Sequence, residues 1–361
     1  MLTPADLDRT WFQQALSTRY PDVRVAAATV TRVDEWTNAH ARVDLTYDLP
    51  AGAPDRVFVK LTPRDAGKAQ ALGSARMGAQ EAWFYLRLAP ELELRVPTPH
   101  AAMIEDDGGF AIVLEDLSES GCRPFNAVGV GPDAAAGALE DLARMHVRYE
   151  DAAARTGDDV SWLSPPSLPK PPDPNRPSRP NIGETLLRHG IEHHRDQLND
   201  AYVAVAEHWI ADRAAVQALW WDAPLTVIHG DAHPGNLFDD HGRVGFLDWG
   251  LISLGDPLRD VSYFLCLALA TEVRRAHERA LLDHYLDVRR VIGGREISRD
   301  GAWGRHRLHA AYTVPTSCQS LAVPDDASAG AKEFSAVFLS RAVAAVEDLD
   351  APGALGLSGR R

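Results

Sequence analysis

Residues 229–238 read His-Gly-Asp-Ala-His-Pro-Gly-Asn-Leu-Phe, and residues 245–250 read Gly-Phe-Leu-Asp-Trp-Gly. A short apolar run ends at Ile228, directly before the first group, and a second ends at Leu247. Apolar runs of this length that are bounded by glycine and proline favour strands, and the first group favours a tight loop. The pattern therefore predicts a strand, a loop with an aspartate, and a second strand that leads directly into another aspartate.

The polar residues of this region have the spacing of a loop that catalyses phosphoryl transfer. Asp231 and Asn236 are spaced as in the D-x-x-x-x-N of kinases, and Asp248 with the following Trp and Gly takes the place of the Asp-Phe-Gly motif. Transfer from ATP requires one carboxylate that orients the attacking hydroxyl and further oxygen ligands that hold magnesium. The spacing predicts Asp231 as the catalytic residue and Asn236 and Asp248 as magnesium ligands.

These motifs resemble the catalytic and metal loops of the aminoglycoside phosphotransferase and choline kinase superfamily, its ecdysteroid-kinase-like branch included. That superfamily has a similar H-G-D-x-x-x-x-N, followed downstream by I/L-D-W or I/L-D-F. Residues 255–263, Gly-Asp-Pro-Leu-Arg-Asp-Val-Ser-Tyr, are similar to its G-D-P-x-x-D-L-A segment. The resemblance implies that Asp256 and Asp260 cap a helix and brace the loop. It also implies that His229 positions the magnesium loop, and that His233 contacts substrate or packs within its own loop.

The N-terminal half has the residues that this resemblance implies for nucleotide binding. Lys60 ends the run Val-Phe-Val-Lys, close to the V-A-I-K of the third kinase strand, and Glu81 lies on the next predicted helix. The pair is expected to grip the phosphates of ATP. Residues 113–117, Val-Leu-Glu-Asp-Leu, resemble the hinge whose backbone hydrogen-bonds the adenine ring, which assigns Glu115 and Leu117 to the nucleotide.

The loop between the first two predicted strands departs from the protein-kinase pattern. Residues 35–40 read Glu-Trp-Thr-Asn-Ala-His and contain no glycine, whereas protein kinases have G-x-G-x-x-G over the phosphates. The side chains of Thr37 and Asn38, or nearby backbone N–H groups, are expected to cover the phosphates instead. The sequence leaves the preference for ATP or GTP open.

The order of elements along the chain predicts an α+β fold, and the resemblance makes it a two-lobed protein-kinase-like fold. Residues 1–117 would form a small N-lobe with an antiparallel sheet plus a helix. Residues 118–361 would form a larger, mostly helical C-lobe with the catalytic and magnesium loops and the acceptor pocket, and ATP would lie in the cleft between the lobes. The predicted strands span residues 23–33, 41–47, 56–61, 101–105, 110–114, 225–228 and 244–247. The predicted helices span residues 5–19, 75–88, 132–153, 183–194, 197–220 and a buried run at 261–270, and residues 164–180 are predicted to form a proline-rich loop.

The composition excludes several classes of protein. The net charge of −14 disfavours a nucleic-acid-binding surface, which requires clustered Lys and Arg. Cys122, Cys266 and Cys318 lie far apart, which excludes a thiolate zinc finger and a disulfide framework. We expect a cytoplasmic protein without a membrane anchor, because the N-terminal residues have no secretory pattern and no apolar run is long enough to span a bilayer. Its expected partner is a small hydroxylated molecule.

Three other interpretations compete with a small-molecule kinase. His229, Asp231 and His233 form an H-x-D-x-H triplet that could hold the metal of a hydrolase, but this leaves the predicted magnesium ligands without roles. A catalytically silent nucleotide-binding scaffold would have the same fold, but every residue expected for catalysis is present. A protein kinase would have His-Arg-Asp in place of His-Gly-Asp, and a longer segment after Asp248.

The identity of the acceptor and the oligomeric state are open in the sequence. The predicted C-lobe helices carry acidic residues that could recognise an amine-bearing antibiotic, and tryptophans that would accept a hydrophobic alcohol. The acidic residues are Glu184, Glu192, Asp196 and Asp200, and the tryptophans are Trp209, Trp220 and Trp221. Acidic side chains at such positions are more often solvated, so we expect a hydroxylated metabolite rather than an aminoglycoside as such.

Overall fold

The computed structural model describes residues 2–35, 37–65, 67, 76–105, 109–157, 160–163, 181–221 and 223–357. Trp36 and the predicted proline-rich loop at 164–180 lie outside the described residues. The chain divides into two compact units. The first unit comprises Met1–Arg123, Gly157–Leu163 and Phe238–Ile252, and the second comprises Pro124–Thr156, Ser164–Leu237 and Ser253–Arg361. Asp248 therefore belongs to the first unit, although it follows the predicted boundary at residue 117 by a long stretch of chain.

A five-stranded antiparallel sheet forms the centre of the first unit. Its strands are β1 (Arg24–Glu35), β2 (Ala39–Leu49), β3 (Arg56–Leu61), β4 (Pro99–Ile104) and β5 (Phe110–Glu115). Their order across the sheet is β1-β2-β3-β5-β4. Buried residues alternate along the first half of β2, which gives the sheet an apolar face that packs with Phe12 and Leu16. All five strands predicted for the N-lobe are confirmed.

The two residues that pack on this face belong to the N-terminal helix. Helix α1 spans Arg9–Ser17, and a separate 3-10 turn, Pro4–Asp6, precedes it. The prediction of one helix over residues 5–19 is wrong because Asp8 interrupts it. The carboxylate of Asp8 caps α1 by accepting a hydrogen bond from the backbone N–H of Trp11 at 2.8 Å.

Between β3 and β4 the first unit has a helix. Helix α2 (Met77–Trp83) continues into a π-helical turn at Phe84–Leu88, within the predicted helix at 75–88, whose first residue lies outside the described part. The remaining strands of the chain are short. They are β6 (Arg123–Pro124), β7 (Thr226–Ile228), β8 (Leu237–Asp240), β9 (Arg243–Phe246) and β10 (Ser253–Gly255).

Two of these short strands were predicted and three others, β6, β8 and β10, were missed. The predictions at 225–228 and 244–247 correspond to β7, which pairs with β10, and to β9, which is the neighbour of β8. The sequence did not indicate β8, because it ends in Asp239 and Asp240 and aspartate is depleted in strands. Strand β10 has only three residues, too few for a periodic pattern.

The second unit consists mainly of helices, as predicted for the C-lobe. They are α3 (Pro132–Arg148), α4 (Ile182–His193), α5 (Asp200–Ala211), α6 (Arg213–Trp221), α7 (Pro257–Ala268), α8 (Thr271–Val291), α9 (Arg299–Ala310), α10 (Thr313–Ser317), α11 (Ala329–Asp348) and α12 (Ala351–Ala354). Most of them contribute to one apolar core, which includes Tyr202, Trp209 and Phe338.

Two helices of this unit end differently from their predictions. Helix α3 ends at Arg148, because the side chain of Glu150, two residues later, forms a buried ion pair with Arg289 at 2.6 Å. The single helix predicted over 197–220 is wrong. Asp212 takes a non-helical conformation, with φ −147° and ψ 71°, and separates α5 from α6.

Helix α7 begins at the proline of the Gly-Asp-Pro segment and lies in the core. All of its residues are buried, which confirms the buried helix predicted at 261–270, although the helix begins earlier. Pro257 at its first position and the capping residue Asp256 explain the early start. Within the described ranges, no helix combines the length and the apolarity that crossing a membrane requires.

Candidate functional site

Asp260 of α7 fixes the backbone of the loop that follows β7. Its carboxylate oxygens accept hydrogen bonds from the N–H of His229 at 2.6 Å and from the N–H of Gly230 at 2.8 Å. Gly230 has a φ of 85°, a left-handed conformation that glycine adopts without strain. Burial alone would raise the pKa of Asp260, but hydrogen bonds from His146 and the backbone hold this pKa below its ordinary value. A fully buried, ionised carboxylate therefore sets the shape of the loop.

Asp256 anchors the start of the same helix. Its carboxylate accepts a hydrogen bond from the N–H of Leu258 at 3.0 Å and lies 2.5 Å from both Arg305 and Nε2 of His309. Burial opposes its charge, but the neighbouring His309 and Arg305 outweigh burial and lower the pKa of Asp256. The geometry is that of a helix cap tied into a buried polar cluster.

Asp231, predicted as the catalytic residue, is held by two neutral hydrogen-bond donors. The side-chain amide nitrogen of Asn236 donates to the backbone oxygen and to Oδ2 of Asp231, both at 3.0 Å. The hydroxyl of Tyr263 donates to Oδ1 at 3.0 Å. The side chain of Asp231 is nevertheless 24% exposed, so the carboxylate is oriented and still accessible.

His229 and His233 each use a ring nitrogen within the loop itself. Nδ1 of His229 accepts a hydrogen bond from the N–H of Asp231 at 3.2 Å, and Nδ1 of His233 accepts one from the N–H of Gly235 at 3.1 Å. Nε2 of His233 lies 3.6 Å from Oδ2 of Asp231, and its ring packs edge-on against Phe338. In the described part of the chain, no three His, Cys, Asp or Glu side chains are arranged to hold a metal.

A second polar cluster lies in the first unit. Nζ of Lys60, on β3, is 2.5 Å from Oε2 of Glu81, on α2, and 3.1 Å from Oδ1 of Asp248, just beyond β9. Lys60 and Glu81 are only 5% and 2% exposed, whereas the side chain of Asp248 is 40% exposed. Three distant segments thus bring one ammonium group and two carboxylates together.

The backbone at Asp248 is held in an uncommon conformation by its neighbours. Asp248 has φ 55° and ψ 73°, the left-handed region that residues other than glycine rarely adopt. The backbone N–H of Trp249 donates to Glu81, and the Trp249 ring stacks on Phe84 with centroids 3.8 Å apart and planes 8° apart. These contacts tie the direction of the Asp248 side chain to α2 and its π-helical turn.

The charges of this cluster are unequal. Burial disfavours the charge on Lys60, but the carboxylates of Asp248 and Glu81 outweigh burial and raise the pKa of Lys60. Burial raises the pKa of Glu81 to about 7, the charge of Asp248 adds to the rise, and Lys60 acts in the opposite direction. The carboxyl groups of Glu81 and Asp248 share the one ammonium group of Lys60. The cluster is therefore suited to bind an additional cation.

The predicted magnesium ligands have the oxygen donors that this ion prefers. Because the amide nitrogen of Asn236 is committed to Asp231, the amide oxygen of Asn236 is the atom that can accept a cation. Oδ1 of Asp248 contacts Lys60, and its carboxylate is still accessible. Asn236 and Asp248 each have an oxygen atom that can bind magnesium, and both assignments stay predictions.

The predicted adenine hinge is fixed by a side chain from outside it. Arg95 donates two hydrogen bonds to the carboxylate of Glu115, both at 3.0 Å, and the N–H of Thr98 adds one at 3.1 Å. Burial opposes the charge of Glu115, but these hydrogen bonds, first that of Arg95, lower its pKa to about 2. The backbone oxygen of Leu117 accepts a hydrogen bond from Cys122 at 3.2 Å. The Glu115 side chain therefore stabilises the segment, and the nucleotide roles of Glu115 and Leu117 stay predictions.

Thr37 and Asn38, the predicted phosphate cover, precede β2 and differ in exposure. Thr37 is exposed, whereas Asn38 is 7% exposed, and its Oδ1 has no hydrogen-bond partner among the described residues. Phosphate oxygens accept hydrogen bonds, so the amide nitrogen of Asn38 and the hydroxyl of Thr37 are the groups that could contact them. Both roles stay predictions.

Tyr263 and Arg95 are contacts that the sequence analysis missed. Tyr263 follows Asp260 by three residues and therefore lies on the same face of α7, so the expected bracing role of Asp260 was a usable signal. Arg95 gave no such signal, because it lies in a connecting segment and binds Glu115 only in the folded unit.

One unit has an antiparallel sheet with a buried Lys–Glu pair, and the other is mainly helical and has a Gly-Asp loop. Both features are typical of the α+β fold of protein-kinase-like phosphotransferases. Comparison with protein-family models agrees: the model of the phosphotransferase enzyme family matches residues 38–297. The chain belongs to that family, which confirms the resemblance stated above and the predicted fold class.

Several solved structures are similar to this chain, and a choline kinase supports the same fold. A choline kinase from Cryptosporidium parvum Iowa II is 12% identical, with 95% of this chain and 93% of that chain covered and a TM-score of 0.50. The GDP complex of an aminoglycoside 2'-phosphotransferase-IIIa variant is 13% identical, with 96% and 98% covered and a TM-score of 0.49. An amicoumacin kinase in complex with AMP-PNP and Ca2+ is 14% identical, with 88% of each chain covered and a TM-score of 0.49. Among curated protein sequences, none matches significantly.

Proposed function

We propose that the protein is an ATP- and magnesium-dependent phosphotransferase that phosphorylates a hydroxyl group of a small molecule. Membership of the phosphotransferase enzyme family supports the reaction class. The observation that carries the proposal is the setting of Asp231, whose partly exposed carboxylate is held by Tyr263 and Asn236. A carboxylate in this setting can accept a hydrogen bond from an acceptor hydroxyl and then its proton.

The Lys60 cluster is the proposed binding site for the charged part of the nucleotide. Lys60, held by Glu81, would contact the α- and β-phosphates, and Asp248 and Asn236 are the proposed magnesium ligands. The ion would supply positive charge to the phosphates. The excess of acid over base among Lys60, Glu81 and Asp248 supports this assignment, because a metal ion supplies the missing positive charge.

The remaining nucleotide contacts are assigned to backbone and loop groups. The backbone of Glu115 and Leu117 binds the adenine ring, a role compatible with the commitment of the Glu115 carboxylate to Arg95. Thr37 and Asn38 cover the phosphates from the glycine-free loop.

The reaction needs one new bond and one proton transfer. The acceptor oxygen attacks the γ-phosphorus, the bond between this phosphorus and the β–γ bridging oxygen breaks, and ADP leaves. Asp231 orients the hydroxyl for in-line attack and receives its proton. Positioning and charge neutralisation then account for most of the rate enhancement.

The alternative functions have less support. A hydrolase that used His229, Asp231 and His233 would need imidazole nitrogens for a metal, but one nitrogen of each ring accepts a backbone hydrogen bond. A silent scaffold would have no need for an oriented Asp231. A protein kinase would carry Arg at the position of Gly230.

The proposed partners follow from the same chemistry. The acceptor is a small hydroxylated molecule, aminoglycoside-like or another metabolite, and the net charge of −14 offers no support for nucleic acid. We propose a cytoplasmic location, where ATP is available.

A screen for magnesium-dependent ADP release tests the proposal. Purified protein with ATP is offered aminoglycosides, macrolides, sugars, amino alcohols and sterol-like alcohols, and Asp231→Asn is the matched control. We expect turnover with at least one acceptor class, a requirement for magnesium, and a loss of about 100-fold or more in the variant.

Two other outcomes would contradict the proposal. A scaffold would gain thermal stability on binding ATP and would release no ADP with any acceptor. A hydrolase would be inactivated by zinc chelation and would be indifferent to ATP.

A further inference from the structure

Helix α7 contacts the loop after β7 at two points. Asp260 accepts the backbone N–H groups of His229 and Gly230, and Tyr263 donates to the carboxylate of Asp231. The spacing of three residues puts both side chains on one face of the helix. The same rigid element therefore fixes the main chain of the loop and the side chain that the loop presents.

The hydrogen bond from Tyr263 completes the orientation of the carboxylate. Asn236 holds Oδ2 at 3.0 Å and Tyr263 holds Oδ1 at 3.0 Å, so rotation about the bond to the carboxylate carbon would break both contacts. A carboxylate has about four acceptor positions, so two donors leave positions for an incoming hydroxyl. Asn236 alone would fix only one of the two oxygens.

Tyr263 is suited to donate and not to exchange a proton. Its side chain is 2% exposed, and its ring contacts His233 and Tyr312 edge-on or tilted. Burial and the charge of Asp231 raise the pKa of Tyr263 well above its ordinary value, so the phenol keeps its proton.

We propose that Tyr263 is a positioning residue for phosphoryl transfer: its buried hydroxyl holds Oδ1 of Asp231 so that the carboxylate faces the acceptor hydroxyl. The inference rests on the proposed function and adds a residue to it. Because the Tyr263 hydroxyl acts through Asp231, its effect should be confined to the chemical step.

Tyr263→Phe, with Tyr202→Phe as the matched control, tests the inference. Both changes keep a buried ring in the helical unit and remove one buried hydroxyl, but the hydroxyl of Tyr202 is bonded to Ser317 at 2.9 Å and not to Asp231. We expect kcat to fall about 10- to 100-fold in Tyr263→Phe, the usual effect of losing a hydrogen bond to a charged group. KM for ATP and nucleotide affinity should change less than about twofold in either variant.

A double-mutant cycle with Asp231→Ala gives a second readout that does not depend on a fully active enzyme. Asp231→Ala removes the acceptor of the Tyr263 hydroxyl. If Tyr263 acts through Asp231, then Tyr263→Phe should cause little further loss of residual turnover or of unfolding free energy in the Asp231→Ala background. Additive losses would overturn the inference, as would a kcat for Tyr263→Phe equal to that of Tyr202→Phe. Absence of turnover in the unaltered protein with every acceptor would overturn the proposed function instead, and the stability cycle would still test the Tyr263–Asp231 contact.

Discussion

The Lys60 cluster and the Asp231 cluster use opposite means to hold a carboxylate. In the first, an ammonium group contacts Glu81 and Asp248 at 2.5 and 3.1 Å, and the charges depend on one another because two of the three groups are buried. In the second, a phenol and an amide hold Asp231 without adding charge. Charged partners create a site for a charged ligand, whereas neutral donors fix a direction and leave the charge for chemistry.

The two clusters also differ in where their parts lie along the chain. Lys60 and Asp248 are 188 residues apart in sequence, and only the folded first unit brings them together. Asn236 and Tyr263 follow Asp231 by 5 and 32 residues, on the same loop and on the helix that anchors it. The first cluster therefore depends on the fold of a whole unit, and the second on a local arrangement.

Removal of the ammonium group should have the largest effect. Lys60→Met leaves the carboxylates of Glu81 and Asp248 close together without their cation, so unfolding free energy should fall by about 3–5 kcal/mol at pH 8. Magnesium–nucleotide affinity should fall as well. Chemical denaturation and a nucleotide titration measure both quantities. Lys332→Met, at an exposed lysine, is the control and should change neither.

Neutralisation of Asp260 should have the next largest effect and should act on the Asp231 cluster. Asp260→Asn removes a fully buried negative charge. It also weakens the hydrogen bonds that the N–H groups of His229 and Gly230 donate to this side chain. We expect a loss of about 3 kcal/mol in unfolding free energy, measured by denaturation. Asp196→Asn, at an exposed position, should leave stability unchanged, and an equal loss in both variants would contradict the account.

Glu115→Gln should have a smaller effect, on stability and not on nucleotide binding. The change weakens the pairing with Arg95, and unfolding free energy should fall by about 1–2 kcal/mol near neutral pH. The folded pKa of Glu115, about 2, lies below its ordinary value of 4.5, so the ionised form stabilises the fold above pH 4.5. This stabilisation is lost as pH falls from 4.5 toward 2.

The control for Glu115→Gln is the pH series itself. The difference in unfolding free energy between the unaltered protein and the variant should be constant above pH 5 and should become smaller below about pH 4.5. Denaturation at each pH measures this difference. A loss of nucleotide affinity in the variant would mean that the Glu115 side chain binds the nucleotide, contrary to the assignment of its backbone.

The sequence predicted elements correctly where an apolar pattern repeats, and it missed features that depend on the contacts or conformation of a single residue. The strand that ends in Lys60 and the buried helix after Asp256 have periodic or continuous apolar patterns, and both were found. Asp8 and Asp212 interrupt predicted helices because each has a non-helical backbone conformation. A composition averaged over many residues does not reveal such a single position. The spacing singled out Asn236 as a magnesium ligand, but its hydrogen bond to Asp231, like that of Tyr263, is evident only in the folded protein.

The central claim is that the two clusters divide the work, one for the nucleotide and one for the acceptor hydroxyl. Asp231→Asn and Asp248→Asn, each a single neutralised carboxylate, test it when magnesium–ATP affinity and turnover are measured on both. We expect Asp248→Asn to lose about 10-fold or more in magnesium-dependent affinity. Asp231→Asn should keep its affinity within about twofold and lose about 100-fold or more in kcat. Equal losses of affinity in the two variants would contradict the claim.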